Sequence, residues 1–145
     1  MRELVRMLSS EIKYITHEIN EDTIAIYVKS KRKEAQCPYC GKVSDKVHSK
    51  YIRKLQDLPI QRKKVKLHIE RNKYFCKNKE CIKGTFAERF DFFDDKATKT
   101  NRLQDEILRV SLTQSSVSAS KYLKSSVADV GKSTICNLLK KGREK

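Results

Sequence analysis

Apolar and polar residues alternate along two short runs near the start of the chain, Lys13 to Ile19 and Thr23 to Lys29. Ile24, Ile26 and Val28 fall on one side of the second run. Asn20-Glu21-Asp22 between the runs supplies turn residues, so the pair predicts a β-hairpin. Further on, Val47, Ser49, Tyr51, Arg53 and Leu55 share one side of a third strand, which Leu58-Pro59 is expected to close. Val65, Leu67 and Ile69 alternate along a fourth, which continues through Arg71, Lys73 and Tyr74 into Cys76. Phe86, Phe90, Phe92 and Phe93 then cluster beside acids as far as Asp95, where the composition changes. Beyond that point the apolar spacing is helical. Leu103, Ile107, Val110 and Leu112 suit one helix, Val117, Ala119, Tyr122 and Leu123 a second, and Ile135, Leu138 and Leu139 a third. Three such helices predict a helix-turn-helix unit, although Ser125 to Gly131 is longer than the usual turn.

Four cysteines change this picture from a pattern of elements to a chemistry. They form two close pairs, Cys37-Pro38-Tyr39-Cys40-Gly41 and Cys76-Lys77-Asn78-Lys79-Glu80-Cys81, and each pair adjoins a predicted strand. Two tight turns that each aim two sulfurs at one point make a closed tetrahedral site for a single structural Zn²⁺. Pro38 fixes one φ angle and Gly41 relieves crowding where the chain turns past the metal. The predicted fold class is therefore α+β. A zinc-stapled antiparallel β module of zinc-ribbon type over residues 1–95 precedes a helix-turn-helix module over residues 96–145. Cys-Pro-Tyr-Cys also resembles the redox tetrad of glutaredoxins. That chemistry needs a helix after the first cysteine within a βαβ unit, and Gly41 to His48 carries no helical apolar stripe. Iron in a rubredoxin-like site is the other rival. His17, His48 and His68 lack metal-pair spacing, and Cys136 suits a small buried position on the last helix.

Charge then selects a partner. The 145 residues carry 33 Lys and Arg against 18 Asp and Glu, a formal net charge of +15. Such a balance favours a polyanion, and double-stranded DNA is the expected partner. The excess concentrates between Lys42 and Lys83. Arg53, Lys54, Arg62, Lys63, Lys64, Lys66, Arg71 and Lys73 are the expected phosphate contacts, with Arg62, Lys64 and Lys66 on one strand face. On the last helix, Ser133 suits a cap, and Thr134, Asn137 and Lys141 turn outward, with Lys132 and Lys140 beside them. In a helix-turn-helix these would face base edges. Gly131-Lys132-Ser133 is not a phosphate loop, because that motif requires a glycine at position 126, which is Ser126. Arg2, Glu3 and Arg6 interrupt any signal-peptide core, and no long apolar run occurs. A cytoplasmic, nucleoid-associated protein is expected, with no membrane partner and no small-molecule substrate.

Cys-Pro-Tyr-Cys-Gly, Tyr51-Ile52-Arg53-Lys54-Leu55-Gln56-Asp57-Leu58-Pro59-Ile60, Arg71-Asn72-Lys73-Tyr74-Phe75-Cys76 and Thr85-Phe86-Ala87-Glu88-Arg89-Phe90 together resemble the N-terminal zinc-binding region of ISL-three family insertion-sequence transposases. Val130 to Leu139 resembles the helix-turn-helix that follows it in that family. The resemblance implies that Cys37, Cys40, Cys76 and Cys81 are the zinc ligands and that the terminal inverted repeats of a mobile element are the target. Family members continue into a ribonuclease-H-type domain with an Asp/Asp/Glu triad. The sequence ends at Lys145 before any such domain, so the expectation is a DNA-recognition piece without catalytic activity, its partners a second copy or a full-length transposase. The competing expectations are a zinc-ribbon transcription regulator and a zinc-ribbon module for RNA or protein.

Overall fold

A computed structural model describes residues 1–112, 121–124, 127, 128 and 134–139. The elements are α1 (Arg2–Leu8), β1 (Ile12–Ile19), β2 (Thr23–Ser30), β3 (Ala35–Gln36), β4 (Val43–Ser44), β5 (Val47–Ile60), β6 (Lys63–Phe75), β7 (Thr85–Ala87) and α2 (Asn101–Ser111). The main sheet has the order β1-β2-β6-β5, with β7 added alongside the end of β6, and β3 pairs with β4 in a small second sheet. Neighbours are antiparallel except β2 and β6, which run parallel from Thr23↔Lys64 to Lys29↔Glu70.

Alternation along each strand decides which face is buried. Ile24, Ile26 and Val28 of β2 meet Val65, Leu67 and Ile69 of β6 and Leu55 of β5 on one face. Val5 of α1, Ile12, and the three rings Phe90, Phe92 and Phe93 complete this core. The aromatic cluster expected before Asp95 is thus largely a lid on the sheet. Phe86 is the exception, packing on Tyr74 near the cysteines with ring centroids 5.7 Å apart.

β5 and β6 form a long hairpin. Leu58-Pro59 does not end β5; the strand passes through an irregularity between Asp57 and Ile60, where a proline without a ladder donor is tolerated. The loop is Gln61-Arg62, with φ values of 49° and 66°. Both are left-handed, the backbone that a two-residue hairpin turn with the strand's own twist requires.

The expected α+β class, with a three-helix helix-turn-helix module after the β module, is not what the structure contains among the described residues. Among the described residues the fold is mostly β, 41% strand against 23% helix, and the helices are short. After Asp95 the backbone first lies along the outer edge of β5, where Gln56 donates to the Thr98 carbonyl at 2.9 Å and Thr100 donates to the Gln56 carbonyl at 3.0 Å. α2 then starts from a Thr100 cap, its side-chain oxygen accepting from the Leu103 N–H. Its apolar stripe, Leu103, Ile107 and Val110, packs with Leu123, Val127, Ala128 and Ile135, and also with Leu58 of β5. The helical spacing is present, but the helices close partly on the sheet. Helical residues 121–124 and 134–139 are described; Val117, Ala119, Lys132, Ser133, Lys140 and Lys141 lie outside the described residues. Cys136 is half-buried in the last helical segment.

Candidate metal centre

The first cysteine pair sits on a turn between β3 and β4. The Cys37 N–H donates to the Lys42 carbonyl at 2.9 Å, and the Gly41 N–H donates to the Cys37 carbonyl at 2.8 Å. Closing that turn needs φ = 82° at Gly41, where a side chain would be strained. Gln36 steadies it by donating from Nε2 to the Gly41 carbonyl at 2.8 Å. The second pair repeats the arrangement between β6 and β7. Cys76 N–H donates to the Gly84 carbonyl at 2.8 Å and Cys81 N–H to the Asn78 carbonyl at 3.0 Å, and Gly84 has φ = 69°. Two turns of the same design therefore face each other.

Three links hold the turns together. The Phe75 N–H donates to the Lys46 carbonyl at 2.8 Å, and Ser44 Oγ donates to the Phe75 carbonyl at 2.5 Å. Lys77 pairs with Asp45 at 2.6 Å across the exposed side. Beneath them Cys37, Tyr74 and Phe86 form a buried cluster on which Ala35, Cys76 and Cys81 pack.

The result is a compact set of sulfurs. Cys37 Sγ lies 3.9 Å from Cys81 Sγ, Cys40 Sγ lies 3.4 Å from Cys76 Sγ, and all four lie within 4.8 Å of one another. Sulfurs each about 2.3 Å from one tetrahedral ion stand about 3.8 Å apart, so the spacing fits zinc. None is close enough for a disulfide bond, and all are free thiols. Their ionisation points the same way. A backbone hydrogen bond from Lys42 brings the Cys40 thiol down to about 6. Cys76 receives a backbone hydrogen bond from Asn78 that favours its thiolate, but burial and the neighbouring sulfurs push it up to about 12. Sulfurs this close resist carrying charge together, and a divalent cation at their centre is what allows all four to ionise.

This geometry defines a zinc ribbon. Residues 33–81 match the family described as the zinc-finger of transposase IS204/IS1001/IS1096/IS1165. The transposase for insertion sequence element IS1001 of Bordetella parapertussis is 33% identical over 81 residues, which cover 56% of this chain and 19% of that protein. The chain thus spans only about a fifth of the relative's length. No solved structure matches it significantly. Residues 33–81 are thus similar to the zinc ribbon of ISL-three family transposases, and Cys37, Cys40, Cys76 and Cys81 form a structural zinc site.

The basic residues singled out by sequence separate into groups. Arg71 is buried, donating to the Glu88 carbonyl at 3.2 Å and to Asp95 Oδ1 at 3.0 Å, with the Tyr51 ring 4.8 Å from its guanidinium carbon. Arg53 donates to the Asp95 carbonyl at 2.5 Å and also to that of Ala97. Lys63 donates to the Asn20 carbonyl at 2.7 Å and also to that of Glu21. Lys54, Lys64 and Lys66 lie on the sheet face away from the core, and Arg62 is exposed at the hairpin tip. Lys73 is half-buried opposite Ser49 and Ala87. Thr134 is half-buried and Asn137 exposed. Sequence reasoning missed Gln36, Ser44 and Gly84 as supports of the metal turns. Gly84 had a readable signal, a glycine three residues after Cys81 that answers Gly41 after Cys40.

Proposed function

We propose that the chain binds double-stranded DNA at the terminal inverted repeats of an insertion sequence, as the DNA-recognition part of a transposase. The observation that carries this reading is the convergence of four sulfurs within 4.8 Å inside the very segment that matches a transposase zinc-finger. A structural zinc holds two turns and the sheet behind them in one shape before any ligand arrives, which lowers the ordering cost of binding. The excess of positive charge, +15, provides affinity for phosphate without sequence information. Lys54, Arg62, Lys64 and Lys66 are our candidates for that contact, and exposed Asn137 is the candidate for a base edge.

Footprinting of the zinc-loaded chain on the ends of family insertion elements, against scrambled duplexes of equal length, tests the proposal. Protection confined to the inverted repeats is expected. Selective protection of a promoter, or preference for structured RNA over every duplex, would replace it with a regulatory or RNA-binding role.

A further inference from the structure

The main sheet has two unlike faces. One carries the core, and the elements that cover it, α1 and the loop bearing Phe90, Phe92 and Phe93, all lie on that side. On the opposite face the strand register sets Thr16, Tyr27, His68 and Lys54 side by side across the four strands β1, β2, β6 and β5. The Tyr27 and His68 rings stack at the centre of this row, 4.6 Å apart and 16° from parallel. Around them the same alternation brings Lys13, Lys29, Lys50, Lys54, Lys64 and Lys66 to one surface, against the acids Glu18 and Glu70.

A face built only for solubility mixes both signs. Here one sign dominates. Lys13, Lys29, Lys50 and Lys54 make no ion pair among the described residues, whereas Arg32, Arg71, Arg102 and Arg109 each have a carboxylate partner. Arg32 and Arg71 thus tie separate elements of the fold together, whereas these four lysines stand on the sheet face. Four strands about 4.8 Å apart, with side chains on one face repeating about every 6.7 Å, spread these ammonium groups over an area that a duplex backbone can cover. The stacked rings add two hydrogen-bonding edges held by packing at the middle of the field.

Resting on the duplex-DNA reading above, we propose that this open sheet face, centred on Tyr27 and His68, is the surface that lies against the phosphate backbone of double-stranded DNA. The zinc ribbon fixes the far end of β6 and so holds this face in register. Contacts of this kind supply affinity and orientation, and leave sequence choice to other residues.

The test is fluorescence anisotropy of the full zinc-loaded chain with a labelled inverted-repeat duplex and with a scrambled duplex, titrated over a range of salt. The triple variant Lys29→Gln, Lys54→Gln, Lys66→Gln is compared with a charge-matched control, Lys33→Gln, Lys42→Gln, Lys79→Gln, at exposed positions outside the strands. The face variant should lower the slope of log affinity against log salt by about 2.7, at about 0.9 for each phosphate no longer neutralised, equally on both duplexes. The control should keep the parent slope. Equal decreases in both variants, or an unchanged slope in the face variant at full zinc content, would overturn the face assignment while the DNA reading stands. A parent chain that binds neither duplex would remove both.

Discussion

Asp57 and Arg102 form a two-point pair: Arg102 donates from Nε to Oδ1 at 2.9 Å and from Nη2 to Oδ2 at 2.6 Å. Asp57 is buried in β5, and its Oδ1 also accepts from Thr100 Oγ1 at 2.7 Å. The cap of α2 and the second residue of that helix are therefore both tied to one strand carboxylate. Asp57→Ala should cost about 2 kcal/mol, the typical scale for leaving hydrogen-bonded buried partners without an acceptor, reduced by the part-exposure of Arg102. Urea denaturation measures it. A loss below a few tenths of a kcal/mol would show that α2 docks through its apolar stripe alone.

Ser44→Ala removes the side-chain link from the first metal turn to the Phe75 carbonyl next to Cys76. The four ligands remain, so zinc should still bind, but about tenfold more weakly, as for other supports behind metal ligands. Competition with a chromophoric chelator reads this directly. Unchanged affinity would mean that the buried cluster of Cys37, Tyr74 and Phe86 aligns the turns unaided.

His68 sits lower than an ordinary imidazole, first because of burial and then because of the Lys54 ammonium beside it, with Glu18 opposing. Its stacking partner Tyr27 faces it from β2. The folded state thus disfavours the imidazolium, and between the folded value and the unfolded value near 6.5 the unfolded chain binds more protons. Stability from this group is full above pH about 6.5 and declines as the pH falls toward the folded value. A phosphate laid on the sheet should raise the His68 value again, so DNA binding should take up protons and tighten as the pH falls from about 7 to about 6. NMR titration of His68 with and without duplex follows this, and His68→Gln should abolish the pH dependence. An identical titration in both states would place the DNA elsewhere.

Much of the fold was legible because period-two alternation is a local property. Ile24, Ile26 and Val28 announced β2, and Asn20-Glu21-Asp22 announced the turn before it. The β5–β6 hairpin was harder. Gln61-Arg62 adopts left-handed backbone without the glycine or asparagine that usually marks such a turn. The parallel pairing of β2 with β6 left no local trace, because the connection between them runs through the first metal turn and β5 in place of a crossover helix. Leu103, Ile107 and Val110 gave the correct period for α2, but periodicity names a helix and not what it packs on. Leu58 and Asp57 of β5 provide that partner. The metal ligands were legible from spacing alone. The identity of the basic residues that hold loops, Arg53 and Arg71, was not, since a buried arginine and an exposed one look alike in sequence.

Native mass measurement of the purified, reduced chain with and without chelator tests the metal centre most directly. One zinc per chain is expected, retained in Cys136→Ser and lost in Cys37→Ser and Cys76→Ser, with chelator releasing the ion and opening the two turns. A reduced chain that carries no ion, keeps its fold and ignores chelator would contradict the four-thiolate site on which the whole reading depends.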